Sequence, residues 1–225
     1  MEHGGGHDVG AHKIGVFLGM TFHLDTLIMT WITMALVALF VIGCTRRLAL
    51  VPGVAQNIVE MVLEPIMSQI EGVMGKKGER VAPIILTIFL FVLFSNYIGL
   101  IPQMVSPTAD INTTAGLALM VILLVHIFGV MDSGTKYLKH FFTPHPLFVL
   151  LHILENCTRP LTMAFRLFGN IISHEILFMI MMILAPFLAP IGVLFLGLFI
   201  GTIQAAIFTI LSITYIAGAF LDENH

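Results

Sequence analysis

Charge is the first thing this chain has little of. Only 10% of its 225 residues are Asp, Glu, Lys or Arg, against about 25% in a soluble globular domain. Its net charge of -3 offers no basic surface to neutralise phosphates, which excludes a nucleic-acid-binding role. Cysteine is scarce as well. Cys44 and Cys157 lie far apart in sequence, so neither a disulfide framework nor a metal site follows from their spacing. A glycine-rich phosphate-binding loop is missing, so chemistry on nucleotides would have to sit in another chain. The Gly- and His-rich stretch from Met1 to Met20 has no charged n-region and no small-residue cleavage site, and residues 1–23 are read as a retained extramembrane tail. Its histidines, His3, His7 and His12, are expected to be solvated rather than metal-bound. No internal repeat is evident, so the inverted repeats of many secondary transporters are not supported.

What is present is apolar. Hydrophobic residues make up 58% of the chain and mean hydropathy is +1.01, the balance of an integral membrane protein. The expected fold is all-α, with five membrane-embedded helices plus one interfacial amphipathic helix. The first span covers residues 26–44, about the length needed for a ~30 Å hydrocarbon core. Residues 54–75 differ in kind. Ile58, Val62, Ile66, Ile70 and Met74 recur at helical spacing while Gln56, Glu60, Glu64 and Glu71 are polar, the pattern of a helix lying in the interface. A hairpin of spans follows at 81–101 and 115–131. Two long helices, 147–185 and 191–220, are separated by Pro186 and Pro190 and are expected to be strongly tilted. Locally, Asp110 between Pro107 and Asn112 reads as a turn or cap residue.

Orientation is read from basic residues. Arg46, Arg47, Lys76, Lys77, Arg80, Lys136 and Lys139 fall in two groups of loops, and the 103–114 and 185–190 connections have none. Assigning the basic loops to the cytoplasm puts the N-terminus outside and the C-terminus inside.

The first long helix of this pair carries Arg166, Asn170, His174 and Glu175 among Leu, Ile, Met and Phe. A charge near the bilayer centre costs at least ~2.5–3.5 kcal/mol on insertion scales, and a guanidinium cannot lose its proton to escape. At about 100° per residue, Asn170 and His174 share a broad face with Arg166, whereas Glu175 lies about 180° away. Glu155, eleven positions earlier and ~16 Å along the axis, is also out of reach. The last helix brings Gln204 and a small-residue pair, Gly197 and Gly201, which lets a neighbouring helix come close. A carboxylate on another subunit is the economical partner for Arg166; snorkelling, or bonding to carbonyls at a helix break, would be the purely structural alternatives. His174 with Glu175 could likewise hold helices together, and Gln204 could be a helix–helix hydrogen bond or a channel lining. An intramembrane protease is disfavoured because the adjacent Ser173 and His174 point to different faces. A self-contained transporter with Arg166 binding an anion, or a quinone-binding subunit using His126 or Glu175, lacks the paired site each would need.

The ordered set Phe165-Arg166-Leu167-Phe168-Gly169-Asn170, then Glu175, then Gln204 on the next helix, resembles subunit a of the rotary F-type ATP synthase. Pro107-Thr108-Ala109-Asp110-Ile111-Asn112, Ser95-Asn96-Tyr97-Ile98-Gly99 and Asn57-Ile58-Val59-Glu60 extend the resemblance from the first span onward. It implies a stator beside a ring of small c subunits, held by peripheral-stalk b subunits in a bacterial inner membrane, with neither cofactor nor metal. Two offset half-channels would serve the ring carboxylates, carrying protons or Na⁺, and Arg166 would separate them. By the same matching, Glu175 and Gln204 line the outer half-channel with Asn170 and His174 nearby and Asp110 near its mouth; Glu155 is nominated for the inner one. One departure stands out. Some members carry glycine where this chain has His174 and histidine where it has Gly197.

Overall fold

The computed structural model describes residues 14–17, 20–45, 53–101, 104–134, 146–186 and 189–221. Six α-helices make up most of them: α1 Leu24–Thr45, α2 Val54–Met74, α3 Ala82–Ile98, α4 Ile111–Ser133, α5 Pro146–Leu184 and α6 Ala189–Leu221. Four of these, α1, α4, α5 and α6, are long and apolar enough to cross a membrane, and α3 forms a further stretch with α2 across a sharp bend. This is the all-α membrane architecture that the composition implies. The tail before α1 adds one feature its composition did not announce. Strands β1, Ile14–Phe17, and β2, Met20–His23, pair antiparallel with Ile14 opposite His23. The N-terminal histidines at 3, 7 and 12 and the basic residues Arg46, Arg47, Lys136 and Lys139 lie outside the described residues.

The amphipathic pattern of α2 becomes a packing face mainly in its second half. Ile70 and Met74 are buried and Ile66 is half-buried, while Glu60, Glu64 and Glu71 are exposed. Gly75 then takes a positive φ of 58°, which stops the helix. A 3₁₀ turn over Gly75–Arg80 follows, and the chain bends by 113° into α3. The bend turns α3 away from the direction of α2.

Helix α3 is the most enclosed. Ile85, Ile88, Phe89, Leu90, Val92, Ser95 and Asn96 are all buried. One apolar cluster joins Val92 to Ala118 and Val121 of α4, Met163 and Leu167 of α5, and Ala205 and Phe208 of α6. A second joins Ile70 and Val81 to Ile85, Val125, Ile213 and Ile216. At 39 and 33 residues, α5 and α6 are roughly 58 and 50 Å long at 1.5 Å per residue. Both exceed a ~30 Å hydrocarbon core, so they cross it obliquely or project from it. His174 meets Val193 and Arg159 lies over the Tyr215 ring, so the two helices run antiparallel.

Two polar ties mark the ends of the bundle. At one, Lys77 Nζ donates to Asp132 at 2.5 Å and lies 5.7 Å from the Phe220 ring centroid, gathering the α2–α3 turn with the C-terminal ends of α4 and α6. At the other, His23 Nδ1 and Asp110 Oδ2 are 2.6 Å apart, joining the start of α1 to the start of α4. Helix α4 begins at Ile111, four residues before the expected 115, because Asp110 Oδ1 accepts the Asn112 N–H at 2.9 Å and caps it.

Burial works against ionisation of Asp110, but the Asn112 N–H and then His23 outweigh it and hold its carboxyl below the usual aspartate range. A lowered carboxylate contributes stability that is fully present above the unfolded pKa and disappears as pH falls through the folded value. The cap is therefore intact at neutral pH. Asp110→Ala is expected to lose about 0.5–2 kcal/mol from the cap alone, read as faster amide exchange at the first turn of α4. Unchanged exchange there would show that the cap contributes nothing.

Candidate functional site

Arg166 sits on the outward face of α5. It is exposed, as are Leu161, Thr162 and Phe165 beside it and Ser173 and Ile176 beyond, although the helix is one of the membrane-crossing four. Among the described residues it makes no ion pair and no hydrogen bond. The 4-residue periodicity of the helix explains the exposure: Met163, Leu167 and Ile171, one face round, are the positions buried against the core. Arg166 thus presents an unneutralised charge to whatever covers this face.

Asn170 and His174 turn toward the bundle. With Asn96 and Leu100 of the α3 end, Ile171, Ser173 and Leu177 of α5, and Leu196, Gly197, Ile200 and Gly201 of α6, they line a cleft of about 110 Å³. His174 Nε2 donates to the Val193 carbonyl at 3.2 Å; a carbonyl can only accept, so Nε2 carries a proton in this arrangement. A Cβ at residue 197 would lie 2.3 Å from His174 Nε2 and 2.6 Å from Leu100 Cδ2. The imidazole of one helix occupies the space a side chain would need on the other. His174 and Gly197 are therefore face to face.

The cleft's back wall is a buried polar network that sequence reading did not assign to the site. Asn96 Nδ2 donates to the Gly201 carbonyl at 3.0 Å, and its Oδ1 accepts from Thr108 Oγ1 at 3.3 Å. The Thr108 N–H donates to Ser106 Oγ at 3.3 Å, and Ser106 Oγ donates to the Ser95 carbonyl at 2.9 Å. Tyr97 and Thr202 hydroxyls meet at 2.8 Å. Polar side chains within the apolar run of α3 were the available signal, since buried polar groups are rarely left without partners.

The remaining candidates are dispersed. Glu175 is half-buried on the side of α5 away from Arg166 and does not line the cleft. Gln204 is buried, and its Nε2 has no partner among the described residues, a state that costs about 1–3 kcal/mol unless something outside the described chain satisfies it. Glu155 forms an i,i+4 ion pair with Arg159, whose guanidinium lies 4.9 Å from the Tyr215 ring centroid. Asp110 lies with His23 at the bundle end described above. Among the described residues no group of His, Cys, Asp and Glu is placed to hold a metal.

A family model described as the ATP synthase A chain matches residues 27–217, a range that includes every one of these groups except His23. The chain belongs to the ATP synthase A chain family. It is 40% identical over 204 residues to "ATP synthase subunit a" of Moorella thermoacetica, covering 88% of this chain and 94% of the relative. It is 44% identical over 199 residues to "ATP synthase subunit a 1" of Syntrophotalea carbinolica, covering 87% and 85%. "ATP synthase subunit a" of Geobacter sulfurreducens is 40% identical over 205 residues, 89% of each chain. As an A chain this is a multi-pass membrane protein of the ATP synthase membrane sector, concerned with ion transport for ATP synthesis and working in a complex with other subunits.

Proposed function

We propose that this A chain is the stator of a rotary ion path, and that Arg166 faces a ring of small c subunits. The observation that carries the reading is an arginine exposed on a membrane helix with no counter-charge among the described residues. Left against lipid it would be costly; facing a passing carboxylate it is matched. A fixed guanidinium favours the ionised carboxylate in front of it. An ion is released there to one side, and a direct leak between the two sides is blocked. Once reloaded from the other side the ring site is neutral, and a neutral acid faces lipid far more cheaply than a carboxylate. Loading and unloading at offset positions then turn the ring, and each 100 mV of membrane potential supplies about 2.3 kcal/mol per charge moved.

In this reading the cleft holding Asn170 and His174 belongs to the outer half-channel, with Glu175 and Gln204 further along it and Asp110 near the mouth. The unpartnered, buried Gln204 Nε2 supports a polar lining there, since a buried amide donor calls for a partner. Glu155, held by Arg159 in the other half of α5, serves the inner half-channel. The b subunits brace the exposed outer helices, the tail before α1 lies outside, and the C-terminus lies in the cytoplasm of a bacterial cell.

Disulfide trapping tests the facing surface. With Cys44 and Cys157 replaced, a cysteine at exposed Phe165 is expected to cross-link to a cysteine placed beside the ring carboxylate in assembled complexes. A cysteine at buried Leu167 is not. Equal trapping at both, or at neither, would remove the stator reading. Glu175→Gln tests the channel. Ion flux per assembled complex is expected to fall while assembly is retained; the converse result would make Glu175 a structural residue.

A further inference from the structure

The His23–Asp110 pair joins parts of the chain 87 positions apart, and the ion path as proposed makes no use of His23. Its position is unusual. His23 ends β2, is one-third exposed, and meets an aspartate only 5% exposed. Asp110 directly follows the Pro107–Ala109 turn, and that turn carries Thr108, which is fully buried. Thr108 holds the Asn96 side chain, which in turn holds the Gly201 carbonyl, and both Asn96 and Gly201 line the cleft with His174. From His23 to the cleft wall there is thus one continuous set of hydrogen bonds and one short turn. Asn96, Ser106 and Thr108 are at most 1% exposed. Water cannot replace a bond lost in this set, so a shift of the turn must be taken up at the cleft.

We propose that His23 is a positioning residue for the outer ion pathway: through its hydrogen bond it holds Asp110 and the turn bearing Thr108, and so fixes the Asn96–Gly201 wall. The inference rests on the cleft being part of that pathway. The carboxylate that His23 meets is Asp110, from the turn before α4. Strand β1, its partner on the other side, contributes only Ile14–Phe17, none of which titrates. The bond from His23 is thus the tie by which the start of α1 holds the turn before α4.

The test uses the whole synthase in liposomes, oriented so that the lumen corresponds to the outer face. ATP synthesis per assembled complex is measured as lumenal pH is varied, with total driving force held constant by a potassium diffusion potential. His23→Ala, which removes the bond to Asp110, is expected to be slower by roughly tenfold, well inside the ~10²-fold cost of misplacing a group by about 1 Å. His23→Lys, which returns a donor beside Asp110, is expected to recover most of the rate. If His23→Ala does not assemble, His23→Lys decides alone: a rate close to that of the unmodified complex supports the proposal and a tenfold loss overturns it. A profile for His23→Ala identical to the unmodified complex also overturns it. Arg166→Ala runs alongside. Full activity in that variant would remove the ion-pathway reading itself, whereas an inactive Arg166→Ala with unaltered His23 profiles would remove only the role of His23.

Discussion

Replacing Arg166 by alanine is expected to abolish ATP-driven acidification of inverted membrane vesicles in complexes that still assemble. The exposed position of the side chain explains why assembly should survive: no core contact is lost, and Met163 and Leu167 keep α5 in place. What is lost is the charge in front of the passing carboxylate. At about 4 Å and an effective dielectric of about 20 that charge amounts to ~4 kcal/mol, or roughly three decades in the ionisation equilibrium of the site it faces. Without it the ring acid would fail to release its ion at the stator, and passive leak between the two sides would rise. Arg166→Lys is expected to be nearly as damaging, because an ammonium lacks the planar fork and can lose its proton in an apolar setting. Unchanged pumping by an assembled Arg166→Ala complex would mean that the exposed guanidinium has only a structural part, such as reaching the interface.

The second large effect is expected at a residue with no side chain. Gly197→Ala puts a Cβ 2.3 Å from His174 Nε2, so either the imidazole rotates out of the cleft or α6 moves off α5. Overpacking of this kind typically costs 1–3 kcal/mol, and displacement of His174 from the cleft is expected to cut ion flux by roughly tenfold or more, since a ~1 Å misplacement can cost ~10²-fold. His174→Gly is expected to reduce flux as well, leaving a space against Gly197. The double variant His174→Gly with Gly197→His returns an imidazole to nearly the same point from the opposite helix, and should recover flux relative to either single change. Flux and complex assembly are measured for all three. A double variant worse than both singles would show that the helix from which the imidazole projects matters more than where it ends up. Gly197→Ala with normal flux would show that His174 does not need its present position.

Much of this protein was legible in the sequence, for reasons that lie in local chemistry. The scarcity of charge and the long apolar runs dictate membrane helices, because backbone groups in lipid must be satisfied within the segment. The four-residue spacing of Ile66, Ile70 and Met74 marks the packing side of α2. The separation of Arg166 from Glu175 by nine positions puts them on opposite sides of any helix, whatever surrounds it. The family, too, could be read from the ordered polar residues of α5 and α6, since so few polar residues in so apolar a setting leave little room for coincidence.

Other features needed the folded chain. Nothing in the spacing of His23 and Asp110 relates them; the contact exists because the starts of α1 and α4 lie at the same end of the bundle. Asn96 reads locally as one polar residue near the end of an apolar helix, and becomes part of the cleft only because Gly201 and Thr108 meet it from two distant segments. Gly197 reads as half of a small-residue pair that eases helix approach. Tertiary packing makes it the space that His174 fills. A helix sequence fixes which residues share a face, because the periodicity is intrinsic to the backbone. Which face meets which neighbour depends on side chains that are remote in the chain and are brought together only by burying the apolar core.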